Sequence, residues 1–316
     1  MSKPKVLSLG ALAMDIVISG SALPQNDGFA LIQSELLTPG GSAANMSVAL
    51  GLMGAEVYQT GKIGDDSLGR AFRADLVLQG INADYLAEKA GGVTLHTYVL
   101  TAPDGQHCIL ANLGDCVTNL EPEDLPDGIL TGFSCFYTDM FSPRASLWLG
   151  QKALELKIPV VYNMQCAPSF MAMCGVERRL ISEMLGLATV VVSGRDGYFE
   201  LTGETDERAA LAAMIAGYKC PPDGFICTVG GKGALWHNGR DIETVPAFPV
   251  SPRDTTGAGD CFSAGLIFSR YCDARPMGEA LRLACASAAL KCLEPGPRTK
   301  ASLSAIETLI KEVYGE

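Results

Sequence analysis

"DTTGAGDCFSAG", residues Asp254 to Gly265, sets Gly257, Ala258 and Gly259 directly before an acidic side chain and the start of a helical pattern. A tight turn needs one glycine, whereas two glycines around an alanine clear the main chain for close approach of another group. The pattern predicts a helix start at about Gly259–Cys261. The amides of Gly257, Ala258 and Gly259 then converge on one spot, with the positive end of the helix dipole behind them. Such a spot holds an anion, and small residues admit a phosphate to the backbone. Asp260, in the first turn, stands beside that anion. A carboxylate there accepts a proton from an attacking hydroxyl while the amides hold charge on a moving phosphoryl group. The plainer alternative is a glycine-bearing turn with Asp260 as the helix cap. This stretch alone leaves both open.

The surrounding chain narrows the choice. Its 316 residues, 48% hydrophobic and 19% charged, supply a core for one large α/β domain or two smaller ones. The net charge of -11 is spread without a basic stripe, which argues against a nucleic-acid partner. An anionic ligand must therefore be held locally, through amides or a metal ion. The eleven cysteines form no C-x-x-C pair, and His96, His107 and His237 complete no zinc spacing, so the thiols read as buried in a reducing compartment. The opening "MSKPKVLSLGALAMDIVISG" mimics a signal peptide, with Lys3 and Lys5 ahead of apolar residues. Asp15 interrupts it, however, and Val6, Leu7, Leu9, Ile16 and Val17 fit a buried opening strand better. No uncharged apolar run reaches the roughly eighteen residues of a membrane span. The expectation is a cytoplasmic protein with no membrane partner.

Short apolar runs alternate with longer amphipathic segments, the pattern of a mostly parallel sheet covered by helices. Predicted strands are Val6–Leu9, Cys135–Tyr137, Val160–Tyr162, Thr189–Val192 and Gly224–Thr228. Predicted helices are Ala43–Leu52, Ser67–Gln79, Arg144–Leu156, Glu207–Tyr218, Cys261–Ser269 and Met277–Cys292. Leu68, Phe72 and Leu76 give the second helix one apolar stripe. Two segments, about 19–38 and 93–113, break the rhythm as β-hairpin material. The second carries a strong turn signal at Pro103-Asp104-Gly105. They form either a small sheet over the main one or an antiparallel edge of it.

Other phosphate motifs are absent. "GGKGAL" at Gly230–Leu235 fails the P-loop pattern, and Phe262 stands where the dinucleotide fingerprint needs its third glycine. No H-R-D catalytic loop occurs.

"DTTGAGDCFSAG" together with "PGGSAANMSVALGLMGAEVYQTGKIGDDSLG" at Pro39–Gly69 resembles the ribokinase-like (PfkB) family of carbohydrate and nucleoside kinases. The two signatures stand in the family's order, about 200 residues apart, and the opening "GALAMD" and "CTVGGKGAL" at Cys227–Leu235 extend the likeness over the whole chain. The resemblance implies one three-layer α/β/α domain over 1–316, with the two inserted segments as a β lid and homodimer interface. It implies ATP and Mg²⁺, and a sugar or nucleoside as acceptor. Asp260 matches the family's base, and Gly257, Ala258 and Gly259 its anion hole. Gly41, Ser42, Ala43, Ala44 and Asn45 match the sugar-binding stretch, Asp15 an acidic residue holding sugar hydroxyls, and Asp139 a further acidic contact. Thr228, Gly230 and Gly233 match the nucleotide loop. Asp254 lies where some members bind K⁺. His96, Tyr98 and Asn112 fall in the lid, where specificity is set.

Two departures stand out. Gly194 and Gly197 replace the family's N-x-x-E before Leu201-Thr202-Gly203, which leaves Asp196 or Glu200 as the candidate carboxylate for Mg²⁺. "YNMQCAP" at Tyr162–Pro168 lacks D-x-N-x-R, which turns the acceptor towards a pentose or nucleoside. The rival from another class is a non-catalytic sugar-binding or regulatory protein on the same fold.

Overall fold

The computed structural model describes residues 3–104 and 106–315. Its main sheet is built from β1 (Lys5–Leu9), β4 (Glu56–Gly64), β5 (Leu86–Lys89), β8 (Cys135–Thr138), β9 (Val160–Met164), β10 (Val190–Gly194), β11 (Phe225–Thr228), β12 (Ala234–His237) and β13 (Ile242–Val245). The order is β13-β12-β11-β10-β9-β8-β1-β4-β5. All neighbours run parallel except β11–β12 and β12–β13 at one edge. The chain leaves β1 for β4 on one side and later returns to β8 on the other. The carboxyl end of β1 is therefore a point where the strand order reverses, the place where open α/β sheets form a ligand crevice.

Parallel strands buried on both faces read as continuous apolar runs. Here Val6, Tyr137, Val161, Val192 and Ile226 face one core, packed by α1 (Ser42–Leu52), α2 (Ser67–Leu78), α8 (Ala258–Ile267), α9 (Met277–Cys292) and α10 (Leu303–Tyr314). Leu7, Phe136, Val160, Val191 and Phe225 face the other, packed by α3 (Pro143–Glu155), α4 (Pro168–Met173), α5 (Arg178–Leu187), α6 (Arg195–Thr202) and α7 (Glu207–Gly217). The α2 stripe shows how the pattern becomes packing. Asp66 caps the helix by accepting from the Gly69 amide at 2.7 Å, and Phe72 and Leu76 are wholly buried. Cutting such a side chain to alanine costs about 2–5 kcal/mol.

The two irregular segments form a sheet of their own rather than an edge of the main one. β2 (Ala13–Gly20), β3 (Ile32–Gly40), β6 (His96–Thr101) and β7 (His107–Asn112) lie in the order β3-β2-β6-β7. Two antiparallel hairpins are joined by a parallel β2–β6 pairing. The first hairpin begins at Ala13, before the expected boundary near 19. Of the turn expected at Pro103-Asp104-Gly105, Gly105 lies outside the described residues. Among the described residues no helix is long and apolar enough to cross a membrane.

Candidate active site

The helix after the glycine pair starts at Ala258, one residue earlier than expected, because Gly257 makes the turn itself. Gly257 caps α8 in the left-handed region at φ 77. A Cβ there would stand 1.9 Å from the Pro297 carbonyl oxygen, so only glycine fits. This turn also corrects the expected anion hole. The Ala258 amide donates to Thr255 O at 3.2 Å and is not free. Among the described residues no protein acceptor meets the amides of Gly257, Gly259 and Asp260, so the first turn keeps open donors on either side of Ala258.

That turn borders two regions. On one side Ala258 and Gly259 line a cavity of about 470 Å³ together with Thr228, Gly230 and Gly233, so the expected nucleotide loop and the glycine turn do come together. The remaining wall is mainly apolar, with Phe248, Val250, Phe262 and Ala289. Gly233, at φ 98, passes 2.0 Å (for a built Cβ) from Val245 O, which holds that loop against β13.

On the other side the Asp260 side chain turns towards α1. Ser42 Oγ donates to one carboxylate oxygen and Asn45 Nδ2 to the other, the latter at 2.9 Å. Burial raises the Asp260 pKa above the ordinary carboxylate range, while the bonds from Ser42 and Asn45 and the Lys291 charge pull the other way. Ser42 and Asn45 are thus found gripping the acidic residue. Ala43 and Ala44 lie fully buried in the core and present no surface to a ligand. Gly41, the cap of α1 at φ 90, lets the chain pass the Ala11 carbonyl, where a Cβ would stand 2.3 Å away.

Asp15 sits on β2 of the small sheet, where its Oδ1 accepts from Thr97 Oγ1 at 2.5 Å across the β2–β6 pair. Asp139 behaves differently from the expected ligand contact. It is fully buried beyond β8, and its carboxylate accepts from the amides of Ala11 (2.9 and 3.1 Å) and Phe141 (3.1 Å). Gly10 makes room for it, since a Cβ there would lie 2.2 Å from Oδ1. Burial pushes the Asp139 pKa up to about 7, against those amide bonds. Its place is to fix the turn that follows β1.

Asp254, expected at a K⁺ site, has its oxygens engaged by the protein. Its carboxylate accepts from the amides of Thr256 (2.9 Å) and Gly296 (2.7 Å), and its carbonyl accepts from Lys291 Nζ at 3.1 Å. At Gly197, the acidic position of N-x-x-E, a Cβ would meet Ser193 Oγ at 2.3 Å, so a larger residue there requires Ser193 to move. Glu200 holds the start of α4, accepting from Ser169 N at 2.6 Å and Ser169 Oγ at 2.7 Å. Asp196, in the first turn of α6, is exposed. No cluster of three metal-ligating side chains occurs among the described residues.

Sequence reasoning missed several supporting groups. Asn163 Nδ2 donates to Tyr137 Oη at 3.1 Å, beneath Ser42. Arg298 links Asn45 Oδ1, at 3.4 Å, to the Asp75 carboxylate on α2. Lys291 was legible only as a lone charge in the small-residue run "ACASAALKC". His96, expected in the lid, is buried, and its Nδ1 donates to the Thr94 carbonyl at 2.8 Å.

A reversal point in a parallel sheet, a separate small sheet, and a carboxylate in the first turn of a glycine-capped helix define a three-layer α/β/α enzyme with a cleft at the strand ends. The chain belongs to the pfkB family of carbohydrate kinases, whose pattern it matches over residues 3–303. It is 27% identical over 315 residues to an ATP-dependent ribose-1-phosphate kinase of Halopiger xanaduensis, covering 98% of this chain and 99% of that one. Against the ribokinase of Bacillus subtilis it is 27% identical, over 89% of this chain and 90% of that one. A putative ribokinase from Agrobacterium tumefaciens shares the fold with a TM-score of 0.85 at 22% identity, each chain covered fully, at 100%. The protein is therefore a carbohydrate kinase by family, with the ribokinase-like fold expected from its sequence.

Proposed function

We propose that the protein transfers the γ-phosphate of ATP to a hydroxyl of a small sugar or nucleoside, with Asp260 as the base. The observation that carries this reading is the two-sided first turn of α8. Its backbone borders the cavity shared with Thr228, Gly230 and Gly233, and its Asp260 side chain reaches the opposite way, to α1. A nucleotide in the cavity lays its base on the apolar wall and brings its terminal phosphate to the amides of Gly257 and Gly259. The acceptor, held by Asp15 from the small sheet and by the Gly41 stretch, presents its hydroxyl to Asp260. The carboxylate takes the proton as the oxygen attacks phosphorus. Phosphoryl transfer asks mainly for such positioning and for stabilised charge.

Mg²⁺ enters as part of the nucleotide substrate. It keeps several waters and takes phosphate oxygens, so it needs no protein cage. Of the two candidate carboxylates, Asp196 would be the one to orient its waters, since Glu200 is bound to Ser169. The small sheet acts as a lid that excludes water as a competing acceptor. Its surface carries exposed Leu36, Leu37, Ile109 and Leu110, suited to covering the substrate on one face and meeting a second copy on the other. A pentose or nucleoside is the preferred acceptor, from the absence of D-x-N-x-R at Tyr162–Pro168. The test is ADP release and phosphorylated product across a panel of pentoses, hexoses and nucleosides with MgATP. Product from at least one member is expected; saturable sugar binding with no product across the panel would favour the non-catalytic rival.

A further inference from the structure

Lys291 is the only buried lysine or arginine among the described residues, with no accessible surface. A charge removed from water must be paired or solvated by polar groups. Its Nζ lies between two carbonyls, donating to Asp254 O at 3.1 Å and to Glu294 O at 3.1 Å. The surrounding main chain is tied to the same point. The amides of Arg253 and Asp254 donate to Cys292 O, at 2.7 and 3.2 Å, and the Asp254 carboxylate takes the Gly296 amide. Pro297, one residue on, is the group against which Gly257 turns.

A bare monovalent metal ion is held by carbonyl oxygens that replace its water, and a lysine head is a compact cation of the same charge. The Lys291 ammonium already occupies the Asp254 carbonyl that a K⁺ ion would take, and each Asp254 carboxylate oxygen accepts a backbone amide. We propose that the Lys291 ammonium is a built-in monovalent cation beneath the glycine turn, which fastens the 253–257 loop to the 294–297 turn and makes the site independent of K⁺. Lys291 touches no reacting atom in this account and is a positioning residue. Its charge also acts on Asp260 and on the neighbouring Cys261, opposing in both the upward push of burial.

The turnover arm of the test rests on the kinase reading above; the thermal arm does not. Wild-type protein and Lys291→Ala are compared in KCl, NaCl and choline chloride at equal ionic strength, by Tm and by kcat and KM for MgATP. The wild type is expected to show the same Tm and kcat in K⁺ and in choline. Lys291→Ala is expected to lose Tm and about tenfold or more in kcat in choline, and to regain part of both in K⁺ or ammonium. A wild type whose Tm or kcat rises in K⁺ over choline overturns the proposal, whether or not the variant folds. So does a folded variant whose loss no monovalent cation restores, since Lys291 would then be an ordinary helix-end lysine. Absence of turnover with every alcohol would sink the kinase reading, while the Tm comparison would still decide the cation.

Discussion

Ser42 and Asp260, 218 residues apart in the chain, meet through a hydrogen bond from the serine hydroxyl to the carboxylate. With Asn45 on the other oxygen, this contact favours the ionised form that a base needs, whereas burial favours the protonated one. Burial is the larger influence, so the acid limb of kcat/KM should lie above the ordinary carboxylate range. Activity then rises with pH as Asp260 loses its proton. Removing the donor in Ser42→Ala should move that limb to higher pH. A pH profile of both proteins checks this, and an unmoved limb would contradict it.

The two glycines of the turn should fail in different ways. Gly257→Ala collides with the Pro297 carbonyl and requires a left-handed residue, so it should lower Tm and disturb α8. Gly259→Ala meets no atom within 4 Å and replaces a helical glycine, a gain of about 0.5–1 kcal/mol in stability. Its methyl points into open space beside the cavity it lines with Thr228 and Gly233, so, with the nucleotide bound as proposed, the protein should keep or raise its Tm while losing MgATP affinity. Calorimetry and a nucleotide titration on the pair separate these effects.

Asp139 makes a pH-dependent contribution to stability. Its folded pKa is raised from 3.8 to about 7, so the folded chain binds the proton more tightly than the unfolded one. The stability it confers is complete below the unfolded value and is lost as pH rises through about 7. Asp139→Asn keeps an oxygen for the Ala11 and Phe141 amides and removes the buried charge. The variant should gain Tm relative to wild type at pH above this range, with the difference shrinking in mild acid. An equal difference at both ends would contradict the argument.

Asp15 tests the acceptor side. Its bond with Thr97 places a carboxylate on the small sheet, outside the lining of the cavity that Thr228 and Gly233 share with the α8 turn. Asp15→Ala should raise the KM of the alcohol by about tenfold or more, as expected for a lost hydrogen bond to a charged group. The KM of MgATP should hardly change. Steady-state kinetics with the best panel member measures both.

What could be read before the fold was known followed local chemistry. The β1 run, the Phe72–Leu76 stripe and the glycine turn each state their role within a few residues, because periodicity and a forbidden Cβ are local properties. The sequence places Ser42 and Asn45 in a ligand-binding stretch but gives no sign that their side chains also meet Asp260. That pairing depends on α1 and α8 packing side by side, which no window around either helix reveals. The small sheet was legible as hairpins, but its start at Ala13 was hidden because "AMDIVIS" continues the apolar opening of β1. Lys291 and Arg298 were missed for a similar reason: each draws its meaning from carbonyls or carboxylates contributed by distant segments.

The most direct test of the account is phosphoryl transfer by Asp260→Asn, a variant of the same shape that cannot accept the proton. With the best acceptor and saturating MgATP, the account expects kcat to fall by about 10²–10⁴-fold, with KM values and Tm close to wild type. A folded Asp260→Asn protein turning over at the wild-type rate would contradict it.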